Sequence, residues 1–439
     1  MKRLASSLFT LCCLPTAFAL NAAATKLDLF SNVELKAANY QHLIYDKNQT
    51  SQPLYSENAT LGFVIKNIRL EKAPESAMDV GIVLQSVGNG ASSGTVVSPQ
   101  FADAIGRLPA SDGTPFVREA YVKIYRFLRP NVTATFGRQD FTLGQGIALS
   151  SEDLGLPGAR LEMDSIYHNL KADLFFFRPF RTDRYYKVYG GSAYYPGNEG
   201  LWQVYHFWQS DAGALQDIQF NTASKTKKFT GVRYFLSQNQ LTFDGEAVIE
   251  RGTAEKVGGG SGSYSAHAFM LKGAWNQDVP YFGKSRLRLG YGRSSGNADT
   301  GGANAAEDKT FFPAFGRKFS GMERDGYGAI AGASLYDIIK TSATANGLPD
   351  GVSGLNVINI GADLPYKKIL LSADLYKFRA TENAAGGSLQ IASEWDLKAS
   401  YALGDNLRLN AVYAVFTPLS LYPQSAPTKL TYASVSARF

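Results

Sequence analysis

The chain has almost no cysteine and no long run of basic residues. Its only cysteines, Cys12 and Cys13, lie near the N terminus. If that segment is removed on export, the mature chain has no thiol, which excludes a disulfide framework and thiolate metal sites. The formal net charge is +6, and the same cleavage removes the two positive charges of Lys2 and Arg3. A small positive net charge without a run of lysine and arginine residues predicts no nucleic-acid partner.

Long apolar segments and metal-ligand spacings are also missing. Beyond residue 24, no stretch reaches the roughly 18–20 apolar residues that a membrane helix needs. The four histidines, His42, His168, His206 and His267, have no metal-ligand spacing. We therefore expect no metal, no cofactor and no enzyme activity. A hydrolase that uses His168 or His267 remains a minor alternative.

The first 24 residues read as a secretory signal peptide. Lys2 and Arg3 precede a mostly apolar stretch, 4–20, and small residues then cluster at positions 17–24. This order is typical of a cleaved signal, and cleavage after Ala19 or Ala24 fits it. A short membrane anchor and a lipoprotein are the alternatives. The expected domains are the signal peptide, residues 1–24, and one β-domain, residues 25–439.

Aromatic residues make up 13% of the chain, which also contains 43 glycines. Segments of about ten residues alternate between apolar and polar side chains, which is the pattern of a strand with one apolar and one polar face. Eighteen such segments are predicted, at 27–45, 57–70, 77–88, 116–128, 131–141, 160–168, 171–178, 185–195, 200–209, 227–237, 240–252, 262–276, 284–296, 351–364, 368–382, 391–403, 407–417 and 429–439.

The predicted connections alternate between short and long. This parity is typical of an up-and-down transmembrane β-barrel, whose short turns lie on one rim and whose long loops lie on the other. The long loops 89–115, 142–159 and 297–350 are expected to be extracellular and to narrow the mouth. Placing the stretch 328–339 inside the last of these loops preserves the parity. The sequence thus predicts an all-β antiparallel barrel of about 18 strands, with 16 as the alternative.

Closure explains why such a chain can cross a bilayer. Hydrocarbon offers no partners to backbone amides, so only a closed ring of strands satisfies all of them. Aromatic residues near strand ends, among them Tyr121, Tyr413, Phe416 and Tyr432, are expected in the girdles at the two membrane interfaces. The alternating segment that ends at Phe439 is typical of the closing strand that the barrel-assembly machinery recognises.

Three stretches resemble the alginate-export family of outer-membrane porins, which are 18-stranded barrels. They are FGRQDF at 136–141 with the following Gly144-Gln145-Gly146, the loop FFPAFGRKFSGMERDGYG at 311–328, and EWDLKASYALGDNLRLNAVYAVFTP at 394–418. The resemblance implies that Arg138 points into the pore. Simple alternation directs Arg138 at lipid instead, so we expect either a bulge at Gly137 that turns it inward or a place at the extracellular rim, and we favour the bulge.

Function in a porin depends on the side chains that line its constriction. The candidate pore-lining and solute-binding residues are Lys123, Arg138, Gln139, Arg160, Glu162, Arg233, Arg286, Arg288, Lys398 and Arg408. We expect a monomeric porin of the bacterial outer membrane that passes small or extended polar solutes, anionic or saccharide, by passive diffusion. A barrel that does not conduct, and whose long loops bind a surface partner, is the alternative.

Overall fold

The structure is a computed structural model. It describes residues 25–43, 51–71, 73–91, 110, 112–151, 154–179, 185–197, 200–216, 221–298, 306–316, 319–320, 323–324, 326–339, 346–422 and 425–439. The predicted signal peptide and most of the predicted loop 89–115 lie outside these residues. No helix in the described part is long and apolar enough to span a membrane.

Eighteen long strands form one antiparallel sheet that closes on itself. They are β1 (Lys26–Gln41), β2 (Gln52–Leu70), β3 (Ala73–Ala91), β4 (Phe116–Tyr125), β5 (Val132–Gln139), β6 (Leu156–Tyr167), β7 (Leu170–Phe177), β8 (Tyr185–Pro196), β9 (Leu201–Gln216), β10 (Asn221–Gln238), β11 (Leu241–Lys256), β12 (Ser261–Val279), β13 (Gly283–Ser294), β14 (Val352–Tyr366), β15 (Ile369–Asn383), β16 (Gln390–Ala402), β17 (Leu407–Pro418) and β18 (Thr428–Arg438).

The first and last strands close the barrel. β1 pairs with β18 from Asn32 opposite Arg438 to Gln41 opposite Lys429. The backbones of Ser31 and Phe439 extend this seam with two hydrogen bonds of 2.9 and 3.0 Å. Each remaining strand pairs with its neighbours in the chain. The closed ring confirms the prediction of 18 strands over 16.

The connections divide into two rims as predicted. One rim carries turns of two to six residues, such as 168–169 and 239–240, and we call it the short-turn rim. The opposite, long-loop rim carries loop L3, residues 140–155, and loop L7, residues 295–351. Segment 328–339 lies within L7, where the amide of Gly332 donates to the carbonyl of Gly328 over 2.9 Å in a single turn.

Outward side chains form an apolar belt. Leu35, Leu174, Ile249 and Leu375 are each 50–61% exposed in the isolated chain, as expected of residues that face lipid. Trp202 and Tyr413 also face outward. The expectation that Tyr121, Phe416 and Tyr432 join the girdles is wrong. All three fall on the inward parity of their strands, where Tyr121 lies opposite Gly81, Phe416 is fully buried and the Tyr432 ring lies 3.6 Å from the ammonium of Lys36.

The lumen is apolar near the long-loop rim, because L3 and L7 fold into it. In one cluster, apolar residues of L3 pack against inward phenylalanines of the strands, Phe175, Phe177, Phe207 and Phe229. In a second cluster, L7 residues Ile330, Ile338 and Leu348 pack against inward residues such as Phe378 and Phe416. The two clusters bury the described apolar residues of both loops against the wall and narrow the aqueous path that a barrel of this size otherwise leaves open.

Candidate functional site

The tip of L3 is held by charged side chains of β10 and β11. The Arg233 guanidinium donates to both carboxylate oxygens of Asp244 at 2.8 and 2.7 Å, and to the carbonyl of Gly144 at 2.8 Å. The Glu246 carboxylate accepts from the amide of Gln145 and, at 2.5 Å, from the hydroxyl of Tyr205. Charge-assisted hydrogen bonds are stronger than neutral ones, so these contacts fix the loop tip inside the lumen.

The first half of L7 is anchored by a buried ion pair. Lys227 Nζ lies 2.7 Å from Glu250 Oε1, and the two side chains are only 1% and 0% exposed. The second carboxylate oxygen of Glu250 accepts from the amide of Phe312 at 3.0 Å. Because both charges lie out of water, their pairing and hydrogen bonds are needed to offset the cost of desolvation. The pair therefore ties L7 to the wall.

The second half of L7 is anchored through its backbone amides. Glu394 accepts from Ile330 at 2.7 Å and from Ala331 at 3.0 Å, and Asp396 accepts from Ala329 at 3.0 Å. Both carboxylates come from β16 and are at most 2% exposed. Three consecutive amides thus bind two wall carboxylates. We call this contact the L7 latch.

The two loops also contact each other. Leu149 of L3 and Phe315 of L7 form an isolated parallel bridge. The amide of Ser150 donates to the carbonyl of Phe315 at 2.5 Å. L3 and L7 are therefore one connected constriction rather than two independent loops.

A cavity of about 480 Å³ remains between this constriction and the wall of β10–β15. Its charged lining residues are Asp244, Lys272, Arg286 and Arg288, so three cations face one carboxylate. Aromatic rings complete the wall, with Tyr327 from L7 among them. Burial raises the pKa of the Tyr327 phenol above its ordinary value, so the ring adds no negative charge. The charged lining of the cavity is thus mostly cationic, and its volume suits a small organic molecule.

A family model for alginate export matches residues 115–436. This match covers well over half of the chain. The chain belongs to the alginate export family. A comparison with curated proteins finds no match.

Solved outer-membrane porins share the fold of this alginate export barrel. OpdK from Pseudomonas aeruginosa has a TM-score of 0.52 at 10% identity, over 94% of this chain and 98% of that chain. A BenF-like porin from Pseudomonas fluorescens Pf-5 has a TM-score of 0.56 at 11% identity, with the same coverage. OccK9 (OpdG) from Pseudomonas aeruginosa has a TM-score of 0.56 at 13% identity, again over 94% and 98%. The family match and the shared fold together make the chain a porin-like barrel of the bacterial outer membrane.

The alginate export barrel brings three of the ten candidate residues together on β4–β6. Lys123 lies 3.4 Å from Glu162, and Arg160 lies 3.2 Å from the same carboxylate. Arg160 also contacts the buried Asp173 at 2.9 Å. These side chains form an ion-pair network on the inner wall. Gln139 is inward as well but buried, and its amide donates to the carbonyl of Thr135 at 3.3 Å.

Arg138 does not turn inward at a bulge. The pairing of β5 with both neighbours runs without a shift through Gly137 and Arg138, so the predicted bulge is wrong. The Arg138 guanidinium instead donates to the carbonyls of Leu154 at 3.1 Å and Val117 at 3.4 Å, at the long-loop end of β5. The alternative position at the rim fits this geometry. These two hydrogen bonds and the position at the rim explain why an arginine on the outward parity is tolerated there.

The remaining candidates lie along the inner wall of β10–β17. Arg288 contacts Asp363 at 2.9 Å and Asp374 at 3.1 Å, and Lys398 lies 3.5 Å from both Asp374 and Asp396. Arg408 is exposed close to the short-turn rim. The Arg286 side chain is exposed and has no hydrogen bond or ion pair with any residue that the structure describes.

Several residues of the constriction were missing from the predicted set. Lys227, Glu246, Lys272 and Glu250 all fall on inward parities, but alternation alone did not distinguish them from other wall charges. A usable signal was the sequence DLFFF at 173–177, which is apolar on both faces of one strand. Inward phenylalanines in a wide barrel indicate that a loop covers them.

Proposed function

We propose that this barrel is a passive channel for small polar solutes that carry negative charge, acidic saccharides included. The observation that carries the proposal is the cation-lined cavity between L3, L7 and the wall, where the Arg286 side chain has no described ion-pair partner. In this proposal, solutes that cross the constriction pass the cations of this cavity. No energy input is part of the mechanism, and the long-loop rim faces the cell exterior.

Arg286 is the cation that supports anion preference most directly. Its charge is exposed to the lumen and has no described carboxylate within ion-pairing distance, whereas Arg288 is neutralised by Asp363 and Asp374. A unit charge 4 Å from a solute anion contributes about 1–4 kcal/mol at effective dielectric constants between those of water and a protein surface. That range is large enough to decide which ion enters first.

The reversal potential of single channels under a potassium chloride gradient tests the proposal. The wild-type channel is expected to prefer chloride, and Arg286→Ser is expected to move the reversal potential toward the cation side. Arg293→Ser is the matched control, because Arg293 lies on the same strand with its exposed side chain on the opposite, outward parity. An unchanged ion preference in Arg286→Ser would show that this cavity does not select the solute.

A second candidate function rests on the packing of the loops. L3 and L7 bury apolar residues in the lumen, and a barrel closed in this way could serve as a scaffold that presents its long loops to a surface partner. Planar bilayers separate the two functions. Steady conductance supports the channel, and silence that persists after deletion of residues 297–350 supports the scaffold.

A further inference from the structure

Two cations face outward, side by side, near the long-loop rim. Lys228 of β10 lies directly opposite Arg251 of β11. Both side chains are exposed, while their chain neighbours Lys227 and Glu250 are buried in the lumen. The strand alternation therefore directs Lys228 and Arg251 away from the pore. We call these two residues the basic pair.

Aromatic residues beside the basic pair mark a membrane interface. Trp208 of β9 is the register partner of Lys228, and Tyr189 of β8 is the partner of Trp208. The two rings stack with centroids 5.6 Å apart. Outward tryptophan and tyrosine side chains concentrate where headgroups begin. The basic pair thus lies at headgroup level.

A groove of about 600 Å³ lies on the lipid face below the basic pair. Its floor consists of small residues, Gly191, Ala193 and Ala247, and its sides include Leu174 and Ile249, both about half exposed. An apolar trough of this shape in the lipid-facing belt fits an acyl chain.

The end of the groove nearest the basic pair is polar. His206 lies opposite Thr230 in the register, two residues from Trp208 along β9, and its Nδ1 lies 2.7 Å from Thr230 Oγ1. Polar side chains at this level suit the ester or amide groups that join acyl chains to a headgroup. The apolar groove, the polar side chains of His206 and Thr230, and the basic pair therefore follow one another along the surface. Acyl chain, linking group and headgroup follow one another in the same order in a lipid molecule.

We propose that this surface binds a phosphorylated glycolipid of the outer leaflet, with an acyl chain in the groove and a phosphate between Lys228 and Arg251. Charge complementarity selects this occupant over a neutral lipid. The carboxylate of Glu255, on the same outward parity of β11, accepts from the Ser224 hydroxyl at 2.9 Å and lies four residues beyond Arg251. One guanidinium nitrogen of Arg251 donates to the carbonyl of Glu250 at 2.9 Å, which holds the charge at the surface.

Native mass spectrometry of the full barrel in detergent, titrated with diphosphorylated lipid A, tests the proposal. The double variant Lys228→Gln/Arg251→Gln is expected to bind roughly 30-fold more weakly, since two interfacial cations are lost. Lys377→Gln/Arg379→Gln is the matched control, because it removes two outward cations of β15, four strands away. Equal losses in both variants, or no loss in the first, would overturn the proposal.

The groove is tested separately by Ala247→Phe, which fills the trough and leaves the basic pair in place. This variant is expected to lose lipid A binding while its channel conductance stays at the wild-type value. Lipid A without phosphates is expected to bind as weakly to the wild type as intact lipid A binds to the double variant. Unchanged binding in Ala247→Phe, or full binding of the dephosphorylated lipid, refutes the assignment.

Discussion

Removal of the Glu394 carboxylate is expected to loosen the L7 latch. In Glu394→Ala, the amides of Ile330 and Ala331 lose acceptors that lie at 2.7 and 3.0 Å. Both residues are fully buried, so water cannot replace the carboxylate while the loop stays docked. The amide of Ala329 keeps its bond to Asp396. The variant therefore weakens the latch without abolishing it.

The magnitude follows from the two lost bonds. A buried donor that loses its acceptor costs about 1–3 kcal/mol, so the docked loop loses about 2–6 kcal/mol relative to the undocked loop. The lower figure changes the ratio of docked to undocked loop by about 30-fold. The apolar packing of Ile330, Ile338 and Leu348 against the wall remains. We expect brief openings of larger conductance rather than a permanently wide pore.

Single-channel recording in planar bilayers is the assay. Glu394→Ala is expected to add brief, larger openings to the wild-type trace, and Glu394→Gln, which keeps one acceptor oxygen, is expected to give fewer of them. Asp405→Ala removes a carboxylate from a short turn and serves as the control. Traces of Glu394→Ala that match the wild type in amplitude and noise would refute the view that the latch holds L7.

Three further predictions concern stability and assembly. Lys227→Met removes the cation that lies 2.7 Å from the buried Glu250 carboxylate and is expected to cost about 3–5 kcal/mol of the free energy of unfolding in detergent. Lys309→Met breaks an exposed pair and should cost at most about 1 kcal/mol. Gly137→Val should lower the refolding yield, because Gly137 has φ +111° and an added Cβ would lie 2.3 Å from the Ala120 carbonyl oxygen. Gly404→Val places its side chain in open space and should leave the refolding yield unchanged. Phe439→Ala should reduce the amount of barrel assembled in cells while purified protein unfolds as the wild type does; equal cellular levels would argue against recognition of this residue.

The barrel could be predicted because each strand carries its own sequence pattern. Alternation follows from one face in lipid and the other in water, and it located all 18 strands. The predicted strand bounds were wrong where the contrast between a lipid face and a water face ends. β10 was predicted from residue 227 but begins at Asn221, and β9 was predicted to end at 209 but continues to Gln216. These strand ends continue beyond the apolar belt, where neither face needs to be apolar and the pattern disappears.

The constriction was harder to predict than the wall. Glu246 and Glu394 alternate like any inward charge, and only their contacts with Gln145 and Ile330 show that they hold loops. Those contacts join residues 101 and 64 positions apart in the chain. The predicted inward position of Arg138 was wrong for a related reason. Its guanidinium donates to backbone carbonyls of neighbouring segments, which alternation does not reveal. Alternation says which face a side chain is on, but it does not say what lies opposite.

The seam between β1 and β18 has a consequence for biogenesis. Hydrogen bonds join Ser31 to Phe439, so the ring lacks its final ladder until β18 has been delivered. A shortened chain would present two unsatisfied edges, each able to recruit a strand from another molecule. Folding that ends with its most distant pairing is slow. Until β18 pairs with β1, the two open edges need protection from strands of other molecules.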